Sequence, residues 1–243
     1  MAASAEIERA MAGRLEGVDW QGIEEQLDAW GHATTGRLLT AAEAREARGW
    51  YDQAERFRAR IVMRRHGFGE GEYQYFANPL PELVAALRRR VYPRLAGIAN
   101  RWQAALGLPQ RFPPELEAYL AACHQAGQRR PTPLLLKYGP GDYNRLHQDL
   151  YGALHFPLQM AILLSAPGED FEGGEFVLTE QRPRSQSRAD VVPLGQGEAV
   201  IFAVNRRPAA GARGFYRLTM RHGVSRIRAG ERYTLGIIFH DAA

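Results

Sequence analysis

The sequence predicts an α+β protein in which a helical region over residues 1–130 supports a β-rich core over 131–243, folding as one compact unit. Three observations predict it. Apolar residues recur at helical spacing in several stretches of the first 130 residues, whereas from Pro131 onward short apolar runs alternate with glycine-rich turns. At 243 residues the chain is long enough for one large core. There is no internal repeat or low-complexity tract to suggest a modular array.

Ile7 to Leu15, and then Ile23, Leu27 and Trp30, give two short amphipathic helices. Thr40-Ala41-Ala42-Glu43 has the form of a capping box, in which hydroxyl and carboxylate satisfy free amides at a helix start, so a helix follows from about Ala41 to Tyr51. Ile61-Val62-Met63 and then His66-Gly67-Phe68-Gly69-Glu70-Gly71-Glu72-Tyr73 read as strand, glycine-rich turn and strand, a mobile flap near 58–76. From Glu82 an apolar stripe runs through Leu83, Leu87, Val91, Leu95, Ile98 and Trp102 to cover an outer face of the β-core, with Pro93 expected to kink or divide it. A further helix spans about Glu115 to Ala126 after the Pro113-Pro114 start. On it the single cysteine, Cys123, reads as a small buried apolar residue.

In the core, Leu134 to Tyr143 reads as strand, Gly-Pro-Gly turn and strand; Gly173-Gly174-Glu175-Phe176 opens another strand and Gly197 to Phe202 a further one. Gln181 to Asp190 and Asn205 to Tyr216 are expected to be loops, being too polar for strands. They carry Arg182, Arg184, Arg188 and Arg206, Arg207, Arg213, and they can reach the mouth of whatever site the core holds.

The formal charge is +4, but Met1 to Trp50 holds nine acids against five arginines, while Gln181 to Arg232 holds eleven arginines and only Asp190, Glu198 and Glu231. The positive field therefore lies over the C-terminal half, where it favours a polyanionic partner. No stretch approaches the roughly 20 apolar residues of a membrane helix, and Met1 to Glu6 has neither a basic start nor an apolar core. A cytoplasmic protein with no membrane association is expected.

One constellation has a specific chemical reading. His147 and Asp149 alternate with Gln148, so in an extended strand both project to one side. His222, 75 residues on, would complete two histidines and one carboxylate on one face of a metal ion, the set that leaves open positions on non-heme Fe(II). Ten residues later Arg232 and Thr234 share a strand face, a guanidinium fork and a hydroxyl suited to capturing a carboxylate. Each residue alone reads as ordinary surface or strand polarity; the joint spacing is what carries the chemistry. His155 reads as a sheet histidine, and His240 as a neighbour of the pocket rather than a ligand.

The succession from Pro131 to Ala243 resembles the double-stranded β-helix (jelly-roll) core of the 2-oxoglutarate/Fe(II) dioxygenases. The resemblance implies Fe(II) bound by His147, Asp149 and His222, and 2-oxoglutarate as co-substrate held by Arg232 with Thr234 and Tyr138, with O2 consumed. Arg221-His222-Gly223-Val224-Ser225 with Gly230 to Asp241 looks like a bacterial family of such oxygenases assigned to oxidative demethylation of damaged DNA. That likeness extends over most of the chain, including Arg60 to Phe76. It implies a nucleic-acid partner, single-stranded or damaged DNA, approached by Arg64, Arg65, Phe68, Tyr73, Arg206 and Arg207, with Tyr75 also available for stacking.

AlkB-type enzymes place the co-substrate arginine further beyond the second histidine and carry an acid just after the first metal motif, where this chain has Leu150-Tyr151. The ten-residue interval, and His147-x-Asp149 with Tyr151 behind it, is instead similar to prolyl hydroxylases, which implies a protein or peptide substrate as the alternative. A non-catalytic barrel with a structural metal is the third reading, separated from both by its lack of 2-oxoglutarate turnover.

Overall fold

The computed structural model describes residues 2–212 and 214–243. Among the described residues five α-helices precede residue 126: α1 (Ala2–Glu16), α2 (Trp20–Trp30), α3 (Ala41–Gly49), α4 (Glu82–Ala105) and α5 (Leu116–Gln125). Strands β1 (His32–Arg37), β2 (Phe57–Val62), β3 (Gly69–Glu70) and β4 (Glu72–Phe76) are interleaved with them. Then follow β5 (Leu134–Tyr138), β6 (Tyr143–His147), β7 (Leu158–Leu163), β8 (Phe171–Gly173), β9 (Phe176–Gln181) and β10 (Ser187–Val192). The last are β11 (Glu198–Ala203), β12 (Arg206–Gly211), β13 (Gly214–Val224), β14 (Ile227–Gly230) and β15 (Arg232–Ile237).

A seven-stranded sheet runs β1-β11-β7-β15-β5-β4-β2, and a second runs β10-β9-β13-β6-β3 with β12 added on β13. Consecutive strands such as β5 and β6 lie in different sheets, which is what winds an antiparallel chain into a jelly roll. The helices supply the supporting layer. β7 is buried at every position because the helices cover one of its faces and a cavity between the sheets lies on the other. β1, β2 and β4 come before Pro131, so the β-structure reaches well into the N-terminal region.

Local chemistry sets the helix ends. Asp19 accepts from the Gly22 amide at 2.9 Å to start α2, and Gly31, at φ 76°, ends it in the left-handed conformation. The Thr40/Glu43 capping box is present and starts α3, whose last turn gives way to a 3-10 turn at Trp50–Asp52. α4 runs through Pro93 unbroken, so the expected division does not occur. The buried stripe Leu87, Val91, Leu95, Ile98 and Trp102 holds the helix in place while proline removes one ladder hydrogen bond. Cys123 is buried as expected.

Two loop expectations fail. Gln181 to Asp190 is the β9–β10 hairpin, paired from Gln181↔Ser187 to Phe176↔Val192, and Asn205 to Tyr216 is largely the β12–β13 hairpin. Polarity did not exclude strands here because these edge ribbons expose most of their side chains to water. Arg213 lies outside the described residues. The 58–76 segment is strand, turn and strand as expected, and it is tied to both sheets: β4 pairs with β5, and β3 crosses to pair with β6 in the other sheet.

Candidate active site

β6 and β13 are paired with His147 directly opposite His222, which sets the two imidazole rings 4.2 Å apart. His147 is the last residue of β6, so strand alternation does not bring Asp149 to the same side; irregular backbone after the strand does. Gln148 pins that backbone by donating to Asn205 Oδ1 and to the Met220 carbonyl, both at 2.8 Å. The result is a compact cluster, with His147 Nε2 3.4 Å from one Asp149 oxygen and His222 Nε2 3.3 Å from the other. One donor atom from each residue lies within 4.8 Å of the others.

These residues fit a metal. Bonds of about 2.1 Å to one ion put neighbouring donors roughly 3 Å apart, and each imidazole lies near that distance from one or other Asp149 oxygen, so small side-chain rotations would gather one donor from each residue on an ion. His147 donates from Nδ1 to the Arg145 carbonyl at 2.7 Å, which fixes its tautomer and leaves Nε2 free as a ligand. Tyr151 donates its hydroxyl to Asp149 Oδ1 at 2.7 Å and so orients the carboxylate. Burial raises the cost of the Asp149 charge, but the two histidines override it and hold the carboxyl well below its ordinary range. Burial also keeps His222 neutral, its pKa lowered further by His147, while His147 is raised because Asp149 outweighs its desolvation. A divalent ion requires both imidazoles neutral beside the ionised carboxylate; His222 meets this as it stands, and an ion would take the place of the proton that Asp149 favours on His147.

The other end of the cavity is built on β15 and β5, where Arg232 sits opposite Tyr138. Arg232 is 2 % exposed, donates to Thr234 Oγ1 at 2.6 Å, and has no acidic partner among the described residues. Its Nε is buried without any partner. The guanidinium carbon lies 5.8 Å from the Tyr138 ring centre and 5.9 Å from that of Phe171. Burial alone brings its pKa down to about 10, still cationic at neutral pH. Gly174, at φ 64°, leaves the room: a Cβ there would stand 2.9 Å from Arg232 Cδ. Tyr138 is fully buried and its hydroxyl, which accepts from Asn144 at 3.2 Å, is pushed up to about 12 by burial, so it serves as a neutral donor. A desolvated, unpaired guanidinium with two hydroxyls beside it fits the distal carboxylate of 2-oxoglutarate.

A cavity of about 230 Å³ joins the triad to Arg232, Thr234 and Tyr138, so the sequence-derived metal and co-substrate residues all meet on one space. The expected substrate residues divide. Phe68 is 46 % exposed at the cavity mouth and stacks on His66 at 5.3 Å. Arg64 and Arg65 are exposed on the turn before it, Arg64 paired with Glu70 at 2.7 Å. Tyr73 lines the cavity but is buried, as is Tyr75, so neither offers an outer stacking platform. Arg206 is exposed.

Arg207 has to be withdrawn from the substrate set. Its guanidinium is buried, ion-paired with Glu180, and donates to the carbonyls of Asp28 at 2.8 Å and Ala29 at 2.9 Å, tying the end of α2 to β9. His155 is in irregular backbone rather than a sheet, and His240 is buried beside Tyr151, accepting from the Phe156 amide at 3.2 Å; neither joins the triad.

Sequence reasoning did not single out a functional role for Asn144 and Gln159, or for Phe202, whose ring lies 4.6 Å from that of His222. Gln159 carried a visible signal: it is the one strongly polar residue in the apolar run Phe156 to Leu164.

Residues 71–242 match the family model of Oxygenase-NA, described as oxygenases catalysing oxidative methylation of damaged DNA. The chain belongs to this family. Two uncharacterized proteins of Mycobacterium tuberculosis, from strains H37Rv and CDC 1551, are each 51% identical over 168 residues, covering 69% of this chain and 72% of theirs. Among solved structures, a 2OG-Fe(II) oxygenase family oxidoreductase from Burkholderia pseudomallei superposes with TM-score 0.54 at 15% identity, covering 93% of both chains. A prolyl-4-hydroxylase from Pseudomonas putida superposes with TM-score 0.53 at 15% identity, covering 92% of this chain and 99% of its own. At that identity the likeness is one of fold. The chain is an oxygenase, and its donor set and cationic pocket fit Fe(II), 2-oxoglutarate and O2. No helix is long and apolar enough to cross a membrane.

Proposed function

We propose that this oxygenase removes alkyl groups from damaged bases in DNA, as a 2-oxoglutarate- and Fe(II)-dependent dioxygenase acting on a single-stranded or flipped base. His147, Asp149 and His222 hold the iron; Arg232, Thr234 and Tyr138 hold the distal carboxylate. With Fe(II), 2-oxoglutarate and O2 bound, the site supplies hydroxylation, and an N-methyl group so hydroxylated loses formaldehyde to leave the free ring nitrogen. The chain's own part is to orient the co-substrate through Arg232, to hold Asp149 through Tyr151, and to exclude water from a cavity lined largely by apolar and aromatic groups.

The observation that carries the substrate class is the cavity mouth. Phe68 is exposed there beside Arg64 and Arg65, an aromatic face for a base next to cations for phosphate, in a family tied to damaged DNA. A lesion in a duplex cannot reach a buried triad without leaving the stack.

Formaldehyde release from methylated single-stranded DNA, run beside a panel of proline-containing peptides, tests the reading. Activity on the DNA, lost in Asp149→Ala, is the expected result, with binding that weakens with salt by a slope of about 0.7 per contacted phosphate. Activity confined to the peptides would move the assignment to a prolyl-type hydroxylase. Iron binding with no 2-oxoglutarate consumption under any condition would leave only a binding module.

A further inference from the structure

Most polar side chains that line the cavity are already engaged. Asn144 is bound to Tyr138, Tyr151 to Asp149, Gln148 to Asn205, and Thr234 to Arg232. Three buried nitrogens on it have no partner among the described residues: Arg232 Nε, His222 Nδ1 and Gln159 Nε2. The first belongs to the carboxylate pocket, and the second is the outer nitrogen of a ring packed between Phe176 and Phe202. Gln159 remains. It is 4 % exposed on a central strand, and an amide buried with unmet hydrogen-bonding capacity costs stability unless something bound meets it.

Its position says what that partner is. On β7, Leu163 stands opposite Thr234 and Ala161 opposite Gly236, while Gln159 lies further on, opposite Phe202 of β11. From Leu163 to Gln159 is four residues, about 13 Å at roughly 3.3 Å per residue, well beyond the span of a five-carbon diacid anchored at Thr234 and Arg232. Gln159 therefore faces the space past the co-substrate, level with the Phe202 ring that packs on His222.

Resting on the DNA reading above, we infer that Gln159 is a specificity-determining residue whose amide reads the hydrogen-bonding edge of the substrate base. An amide offers an acceptor to an exocyclic amine or, turned over, a donor to a carbonyl. This supplies a base-reading group in a chain where Leu150-Tyr151 follows the first metal motif and Tyr151 is engaged with Asp149. It predicts tolerance for both amine-bearing and carbonyl-bearing bases.

The test compares the full chain with Gln159→Leu and Gln159→Glu, loaded with Fe(II) and 2-oxoglutarate, on single-stranded oligonucleotides carrying 3-methylcytosine or 3-methylthymine. Gln159→Leu is expected to lower kcat/KM about tenfold or more on both. Gln159→Glu, an acceptor only, is expected to keep 3-methylcytosine and lose 3-methylthymine, moving the ratio of the two tenfold or more. Should Gln159→Leu fail to fold, the ratio in Gln159→Glu carries the test alone. An unmoved ratio with an active wild type overturns the role of Gln159 and leaves the DNA reading standing. A raised KM for 2-oxoglutarate with no change in base ratio assigns the amide to the co-substrate and also overturns it. A wild type inert on both oligonucleotides but active on a proline peptide overturns the DNA reading, and this inference with it.

Discussion

Among the described residues three arginines are buried, and they are buried differently. Arg88 on α4 donates to Asp241 Oδ1 at 2.8 Å and to the Ile238 carbonyl at 2.9 Å; Arg207 on β12 is paired with Glu180 and caps two carbonyls of α2. Both carry their anion within the chain. Arg232 has none among the described residues, and its hydrogen-bond partner there is a neutral hydroxyl. A charge taken out of water and left unpaired is expensive, so a fold that keeps one gains something elsewhere. The paired arginines fasten helices to the β-core, whereas the unpaired one waits for an anion from outside.

Replacement of these residues can break that contrast. Arg88→Ala strands a buried carboxylate and is expected to cost about 3–5 kcal/mol of stability, toward the lower end because His124 keeps a contact with Asp241 at 2.8 Å. Chemical denaturation measures it. Arg232→Met should do the opposite to the free protein, leaving stability unchanged or raised, yet lower 2-oxoglutarate affinity by about 2–5 kcal/mol, roughly 30-fold to several thousand-fold. Wild type should therefore melt higher with 2-oxoglutarate present, and the variant should not. If Arg232→Met unfolds as Arg88→Ala does, its role is structural and the contrast fails.

Arg207→Met should cost about 1.5–3 kcal/mol through the stranded Glu180 and the two freed carbonyls, with DNA affinity unchanged. Arg206→Glu, on the exposed neighbour, should lower DNA affinity and leave stability alone. An effect confined to acid pH concerns His240, whose burial, with the charges of His155 and Arg88, pushes its pKa down to about 3. The unfolded chain takes up that proton near pH 6.5 and the folded chain refuses it, so stability falls as pH drops from 6.5 toward 3. His240→Asn, which keeps an acceptor for Phe156, should flatten this fall by up to about 1.4 kcal/mol per pH unit.

Residue pattern determined the helical support and the capping box at Thr40, and the resemblance carried by the motifs after Pro131 implied the jelly-roll succession and the meeting of His147, Asp149 and His222 with Arg232, Thr234 and Tyr138 on one cavity. Helix caps and periodicity are local chemistry written in order along the chain, whereas the strand alternation expected to set Asp149 beside His147 stops at His147. What pattern misjudged was polarity. Gln181 to Asp190 and Asn205 to Tyr216 are strands because exposed edge ribbons accept polar residues, and Arg207 sits inside because Glu180, 27 positions earlier in sequence, reaches it from the other strand that flanks β13. Only the tertiary structure decided which arginine has an anion of its own, and that the Gln159 side-chain nitrogen is buried without a partner among the described residues. Whether a buried polar group is satisfied depends on neighbours brought from distant strands, and such neighbours leave no mark beside it in the sequence.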